Sequence, residues 1–183
     1  MRIAFMAFAE DSIIEGELAL EGDRLSDFIP QDGPFPIEWV TVEALKDGHT
    51  VTAQATTMAR DDIVAITGSG PRGNAARRVR TRQHPFRVKA GPYEILGYVH
   101  APPTAHPFAG VTRRRVLPIT NAVIHYTIAG RPLDNAVDAL LVNPTKIDWL
   151  KEATDVEIGV SKALDIKIKV DPHAKDMTGE LLI

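Results

Sequence analysis

Two segments of this chain follow the same plan. Arg113 to Gly130, RRRVLPITNAVIHYTIAG, is an apolar run entered through Pro118-Ile119 and closed by a glycine turn. Pro34 to Gly48, PFPIEWVTVEALKDG, is entered through Pro36-Ile37 and closed the same way. Side chains that alternate in polarity with period two belong to strands with one face on a core. Once these segments are aligned, the rest of the chain falls into register as well. Phe86 answers Phe5. Ile95, Gly97, Val99 and Ala101 answer Ile14, Gly16, Leu18 and Leu20. Phe108 answers Phe28, Ala122 and Ile124 answer Val40 and Val42, and Ile147 and Trp149 answer Ile63 and Ala65. The offset drifts only from 80 to 84 residues, which confines insertions to loops.

This pattern predicts an all-β, mostly antiparallel protein made of two tandem small open barrels or half-barrels related by internal duplication, with few short helices. Residues 1–67 form the first module, 68–84 an Arg/Gly-rich linker, 85–170 the second module with a C-terminal strand at Leu164 to Val170, and 171–183 a tail. Gly16 and Gly97, inside strands, mark bends or close backbone approaches. Leu25, Phe28 and Ile29 have one-turn helical spacing with Pro30 as a stop. The expected core is Ile14, Leu18, Val40, Val42, Ile95, Val99, Ala122 and Ile124.

Net charge is −3, but it is unevenly spread. From Arg72 to Arg115 there are ten Lys or Arg and one acidic residue, Glu94, so a basic centre separates two acidic ends. Arginine forks recognise phosphate or carboxylate. The candidate partner- or anion-binding residues are therefore Arg77, Arg78, Arg80, Arg82 and Arg87, with the triplet Arg113, Arg114 and Arg115. Arg78-x-x-x-Arg82 matches one half of a cyclic-dinucleotide site, but the Asp/Asn-x-Ser-x-x-Gly half is missing. Gly68 to Gly73 fits G-x-G-x-x-G after a strand, yet the stretch from Asn74 to Pro85 is too short for the helix a dinucleotide fold requires. His100 and His106 flank a Pro-rich loop, and His125 lies on a strand face. None has a ligand-spaced partner on its own element. No Ser/His/Asp set or paired-carboxylate cleft stands out, so no catalytic residue, metal or cofactor is expected.

The chain has no cysteine, which excludes disulfides and thiolate chemistry. The start, MRIAFMAFAED, turns acidic too soon for a secretory signal, and no apolar run reaches membrane-spanning length. A cytoplasmic protein without membrane insertion is expected.

Arg24 to Phe28, RLSDF, ahead of a Pro-Ile strand, and Arg113 to Ile124, RRRVLPITNAVI, together resemble the signature of an uncharacterised bacterial family. In that family an Arg-Leu-Ser-Asp-Phe segment precedes a Leu-Pro-Leu-Thr-Asp-Ala strand within one small β domain. Here the first module has Glu38-Trp39-Val40 in place of Thr-Asn-Ala, and the second has His106-Pro107-Phe108 in place of Ser-Asp-Phe. The resemblance implies a small open barrel of the SH3-like or Sm-like kind and implies no activity. The resulting expectation is a non-catalytic binding or structural subunit that assembles with itself or with a protein complex through the Arg-rich centre and exposed strand edges. An Sm-like RNA- or nucleic-acid-binding module is the alternative, and an enzyme of unknown type the third.

Overall fold

Ten strands pair into one antiparallel sheet in a computed structural model that describes residues 1–20, 24–28, 33–70, 80–108 and 111–159. The first half contributes β1 (Arg2–Ala9), β2 (Ser12–Ala19), the helical turn α1 (Leu25–Phe28), β3 (Phe35–Ala44), β4 (Thr50–Met58) and β5 (Ile63–Gly68). The second contributes β6 (Arg82–Ala90), β7 (Tyr93–Ala101), β8 (Leu117–Ile128), β9 (Arg131–Val142) and β10 (Ile147–Glu152). Short 3-10 turns at Arg60–Asp62 and Pro144–Lys146 lead into β5 and β10. The alternating runs thus form strands, and the mostly antiparallel all-β class holds.

The strand order is β10-β6-β7-β8-β9-β5-β1-β2-β3-β4. Each half follows the same course. Four strands run as a meander, and the fifth returns to pair with the first: β5 with β1, β10 with β6. Irregularities recur as well. The β2–β3 register shifts between Glu15 and Glu17, and the β7–β8 register between Leu96 and Tyr98, with Gly16 and Gly97 at the respective bulges. Ile14 pairs Val42, and Ile95 pairs Ile124. Trp39 and Asn121 have φ of 51° and 49°, each within the strand after the bulge. The halves meet where β5 pairs β9 through Ala65↔Val142 and Ile66↔Leu141. The sheet is open, with β10 at one end and β4 at the other.

One buried cluster belongs to the first half and includes Phe5, Leu18, Ile37, Val40, Ile63 and Ile66. The other fills the second half with Phe86, Ile95, Ala122, Ile124 and Leu140, but also takes in Phe8, Ile13, Val64 and Ala65 from the first. The first half thus plugs the end of the second.

This plug explains two departures from the expected core. Ile14 and Val42 are only half-buried, whereas Ile95 and Ile124, which pair with each other as they do, are 0% exposed. The bulge at Gly16 resets the alternation of β2, and Ile13 is the residue buried at the junction. The other six expected core residues are buried. The expected linker is also shorter than 68–84. Gly68 ends β5, with a notional Cβ there 3.2 Å from the Ala4 carbonyl and from Leu25, and β6 already begins at Arg82, paired with Ala101. The expected strand at 164–170 and the tail lie outside the described residues.

Candidate functional site

The junction between the halves is closed by side chains from both. Phe8 packs edge-on against Tyr93 at 5.4 Å and Tyr126 at 5.9 Å. The Tyr93 hydroxyl donates to the Ala9 and Ser12 carbonyls, and burial pushes its pKa far above the ordinary tyrosine value. Asn143, which caps the turn before β10, donates through its backbone N–H to the Val64 carbonyl (2.9 Å) and through Nδ2 to the Ile63 carbonyl (3.1 Å). Lys146 Nζ lies 2.8 Å from Glu10, and Arg60 donates to the Arg115 carbonyl at 2.8 Å. The buried amide and hydroxyl donors at this seam are therefore matched to carbonyls, as a buried interface requires.

Among the described residues, the corresponding end of the first half has no such plug. It is a groove of about 470 Å³ lined by Ser12, Ile14, Val40, Val42, Thr56 and Met58, with the charged residues Glu10, Asp11, Asp61, Asp62 and Lys146 also around it. These six lining residues stand where Tyr93, Ile95, Ala122, Ile124, Leu140 and Val142 stand in the second half. There, the same positions hold Phe8, Ile13, Val64 and Ala65.

Among the described residues the large exposed apolar side chains are Met1, Trp39, Val51, Trp149 and Val156. All but Met1, which precedes the interior strand β1, lie toward the two ends of the sheet. Trp39 (59% exposed) and Val51 (54%) sit on β3 and β4. Trp149 (38%) sits on β10, and Val156 lies in the helical turn at 155–159 that comes after it. Lys151 Nζ stands 4.4 Å over the Trp149 ring, a cation–π contact. β4 is exposed along its first eight residues. Neither strand edge is paired among the described residues.

The arginine candidates separate into groups. Arg77 and Arg78 lie outside the described residues. Arg80 and Arg82 are exposed, Arg113 and Arg115 are exposed, and Arg114 is half-buried. Arg82 pairs Ala101 at the end of β7, and Val99 pairs Ile119 near the start of β8. The register therefore sets Arg82 and the triplet at one end of the second half. Arg87 is held elsewhere. Its guanidinium lies 3.2 Å from Glu94 and 3.2 Å from Glu157. Glu157 in turn closes a capping box on Thr154, accepting from its backbone N–H at 2.7 Å, which holds its carboxyl below the ordinary glutamate value.

His100, His106 and His125 have neighbours of their own, His106 Nδ1 accepting from the Phe108 backbone N–H at 3.3 Å. His100 lies between the Thr81 (3.1 Å) and Thr120 (2.7 Å) hydroxyls, and burial, with His84 nearby, lowers its pKa. His125 pairs across strands with Asp134. That carboxylate comes from β9, so no spacing within β8 announces it. Among the described residues no group of three metal-ligating side chains gathers. No described helix is long and apolar enough to cross a membrane.

Sequence patterning did not single out the groove or either tryptophan. Their only sequence signal is polarity or bulk at positions whose counterparts are apolar or small: Thr56 against Leu140, and Trp149 against Ala65. No protein-family model matches this chain, and it matches no curated protein and no solved structure.

Proposed function

We propose that this protein is a non-catalytic structural or binding subunit, built from two copies of one small β module, that assembles through the free edges of its sheet. The observation that carries this reading is the pairing of two unfilled sheet edges with the large exposed apolar residues of the described chain. Unpaired edges recruit strands, and exposed Trp residues concentrate binding energy. The chain's Arg24-to-Phe28 and Arg113-to-Ile124 segments, which resemble the small-barrel signature, agree with a module of this kind.

A second reading has its own support. Arg80, Arg82, Arg113 and Arg115 project from one end of the second half and make a basic patch for a phosphate backbone or an acidic protein surface. Salt separates the two. Contacts to phosphates release counterions, so binding that depends on them weakens by orders of magnitude between about 50 and 200 mM salt. Edge pairing with an apolar centre changes far less.

Sedimentation of the full chain at micromolar concentration, with and without nuclease, tests the proposal. The expected result is a nuclease-resistant species heavier than the monomer at both salts. A monomer that retains no partner would contradict it.

A further inference from the structure

The seam inside the chain shows how one half receives the other, and among the described residues the corresponding two components, β4 and β10, are left unused. We propose that copies of this chain join head to tail, β10 of one pairing with β4 of the next in the register of the internal β5–β9 junction, with Trp149 seated in the groove of the first half. This rests on the assembly reading and specifies its partner as a second copy.

The correspondence fixes the register. Ala65 and Ile66 pair Val142 and Leu141 inside the chain. Their counterparts are Trp149 and Leu150 on β10, and Met58 and Thr57 on β4. Continuing one step along the same register sets Lys151 opposite Thr56. The internal seam supports this step, because the Thr67 hydroxyl donates to the Ala139 carbonyl at 2.8 Å.

The occupant fits the space. Val64 and Ala65 are wholly buried in the second half. Their counterparts, Asp148 and Trp149, are exposed, and among the described residues the groove they would enter is unfilled. Where small residues fill a pocket already lined by Leu140 and Ile124, a Trp is needed over Thr56 and Val42, because the pocket walls are smaller and more polar. The groove carries Glu10, Asp11, Asp61 and Asp62 against one lysine, Lys146, which is paired with Glu10, and β10 sets Lys151 between the exposed Asp148 and Glu152, so shape and register rather than net charge select the occupant. Asp62 then takes the position of Lys146 and Gly91 in the β6–β7 turn that of Glu10, so the seam's ion pair has no counterpart in this contact, which rests on strand pairing and on Trp149.

This contact is heterologous, since each chain uses one edge of each kind. Association therefore continues past the dimer. A symmetric β4–β4 contact would stop at two chains.

The absence of native cysteine makes the test clean. Two full-length variants, Lys151→Cys and Thr56→Cys, both at exposed positions, are mixed and mildly oxidised. Opposed strand residues fall within disulfide reach, whereas four residues of slip adds about 13 Å and takes them out of it. The expected product is the mixed disulfide, identified by peptide mass, with little from either variant alone and little when Thr52→Cys replaces Thr56→Cys.

Equal cross-linking of the Thr56→Cys variant with itself would overturn the proposal in favour of a symmetric contact. If the unsubstituted chain sediments above the monomer but no mixed disulfide forms, the register fails while the assembly reading stands. A monomer that also yields no disulfide, as expected if the chain's own C-terminal residues cover β4, sinks both. Trp149→Ser, at an exposed site, gives an independent measure. Association should weaken at least about tenfold with an unchanged circular dichroism spectrum, and unchanged association would count against the proposal.

Discussion

Gly97 and Gly16 show how much of this fold depends on single positions. A Cβ at Gly97 would lie 2.5 Å from Ile119 Cγ2 and 3.1 Å from both Ala122 Cα and the Thr120 carbonyl. At Gly16 it would lie 2.9 Å from the Glu38 carbonyl and 3.2 Å from Phe5. Backbone atoms cannot move aside as a flexible side chain can. Gly97→Ala should therefore cost about 1–3 kcal/mol or more by overpacking, read from the urea midpoint, while Gly159→Ala, with nothing within 4 Å, should cost nothing measurable. Equal losses at the two sites would refute the close-approach explanation.

Trp39 is the opposite case. Its φ of 51° is poorly suited to a bulky L-residue, and the corresponding Asn121 at 49° is of a type that tolerates it. With most of the ring in water, Trp39→Asn should raise stability by about 1 kcal/mol; a loss of that size would show that the indole makes contacts that matter to the fold.

His100 adds a pH dependence. Its depressed pKa means that the unfolded chain takes up a proton more readily. Its contribution is fully present above the ordinary value of 6.5 and is lost as pH falls through the lowered one. Between pH 7.5 and 5.5 the parent should lose more stability than His100→Gln, and parallel curves would count against this.

At the scale of elements, the strands were legible because each alternates in polarity and is bounded by turn residues. Asp47-Gly48 and Ala129-Gly130 end β3 and β8 in hairpins whose glycines have positive φ, and Leu25 to Phe28 forms the short helix that its spacing suggests. What periodicity could not supply was which of two adjacent apolar residues, Ile13 or Ile14, meets the larger core. That depends on a bulge and on a neighbouring module, both tertiary facts. For the same reason Arg87 looked like a free cation, although Glu94 on the paired strand and Glu157 in a later turn enclose it. β8 carries the clearest energetic prediction. Ile124 is 0% exposed within the second cluster, so Ile124→Ala should cost about 2–5 kcal/mol, whereas Val42→Ala, at the open groove, should cost less than half as much in the unassociated chain. Similar costs would mean that the groove is filled within a single chain.

For the whole molecule, the recurrence of order, pairing and bulges in the two halves accounts for why one end is plugged and the other open. On the proposed duplication, each module receives a neighbour on one side and offers itself on the other, which leaves one surface of each kind unused at the ends of the sheet. The matched spacing of the two halves was legible in the sequence, but the open end became visible only once the strand order was known, since nothing along the chain states that β5 lies beside β9. Amide hydrogen exchange along β4 of the full-length chain reads this directly. The account predicts that the outward-facing amides between Ala55 and Met58 become protected as concentration rises through the association range, in step with the residues of β10, while those from Thr50 to Gln54 do not. Rapid exchange of β4 at every concentration, or protection that does not change on dilution to the monomer, would contradict it.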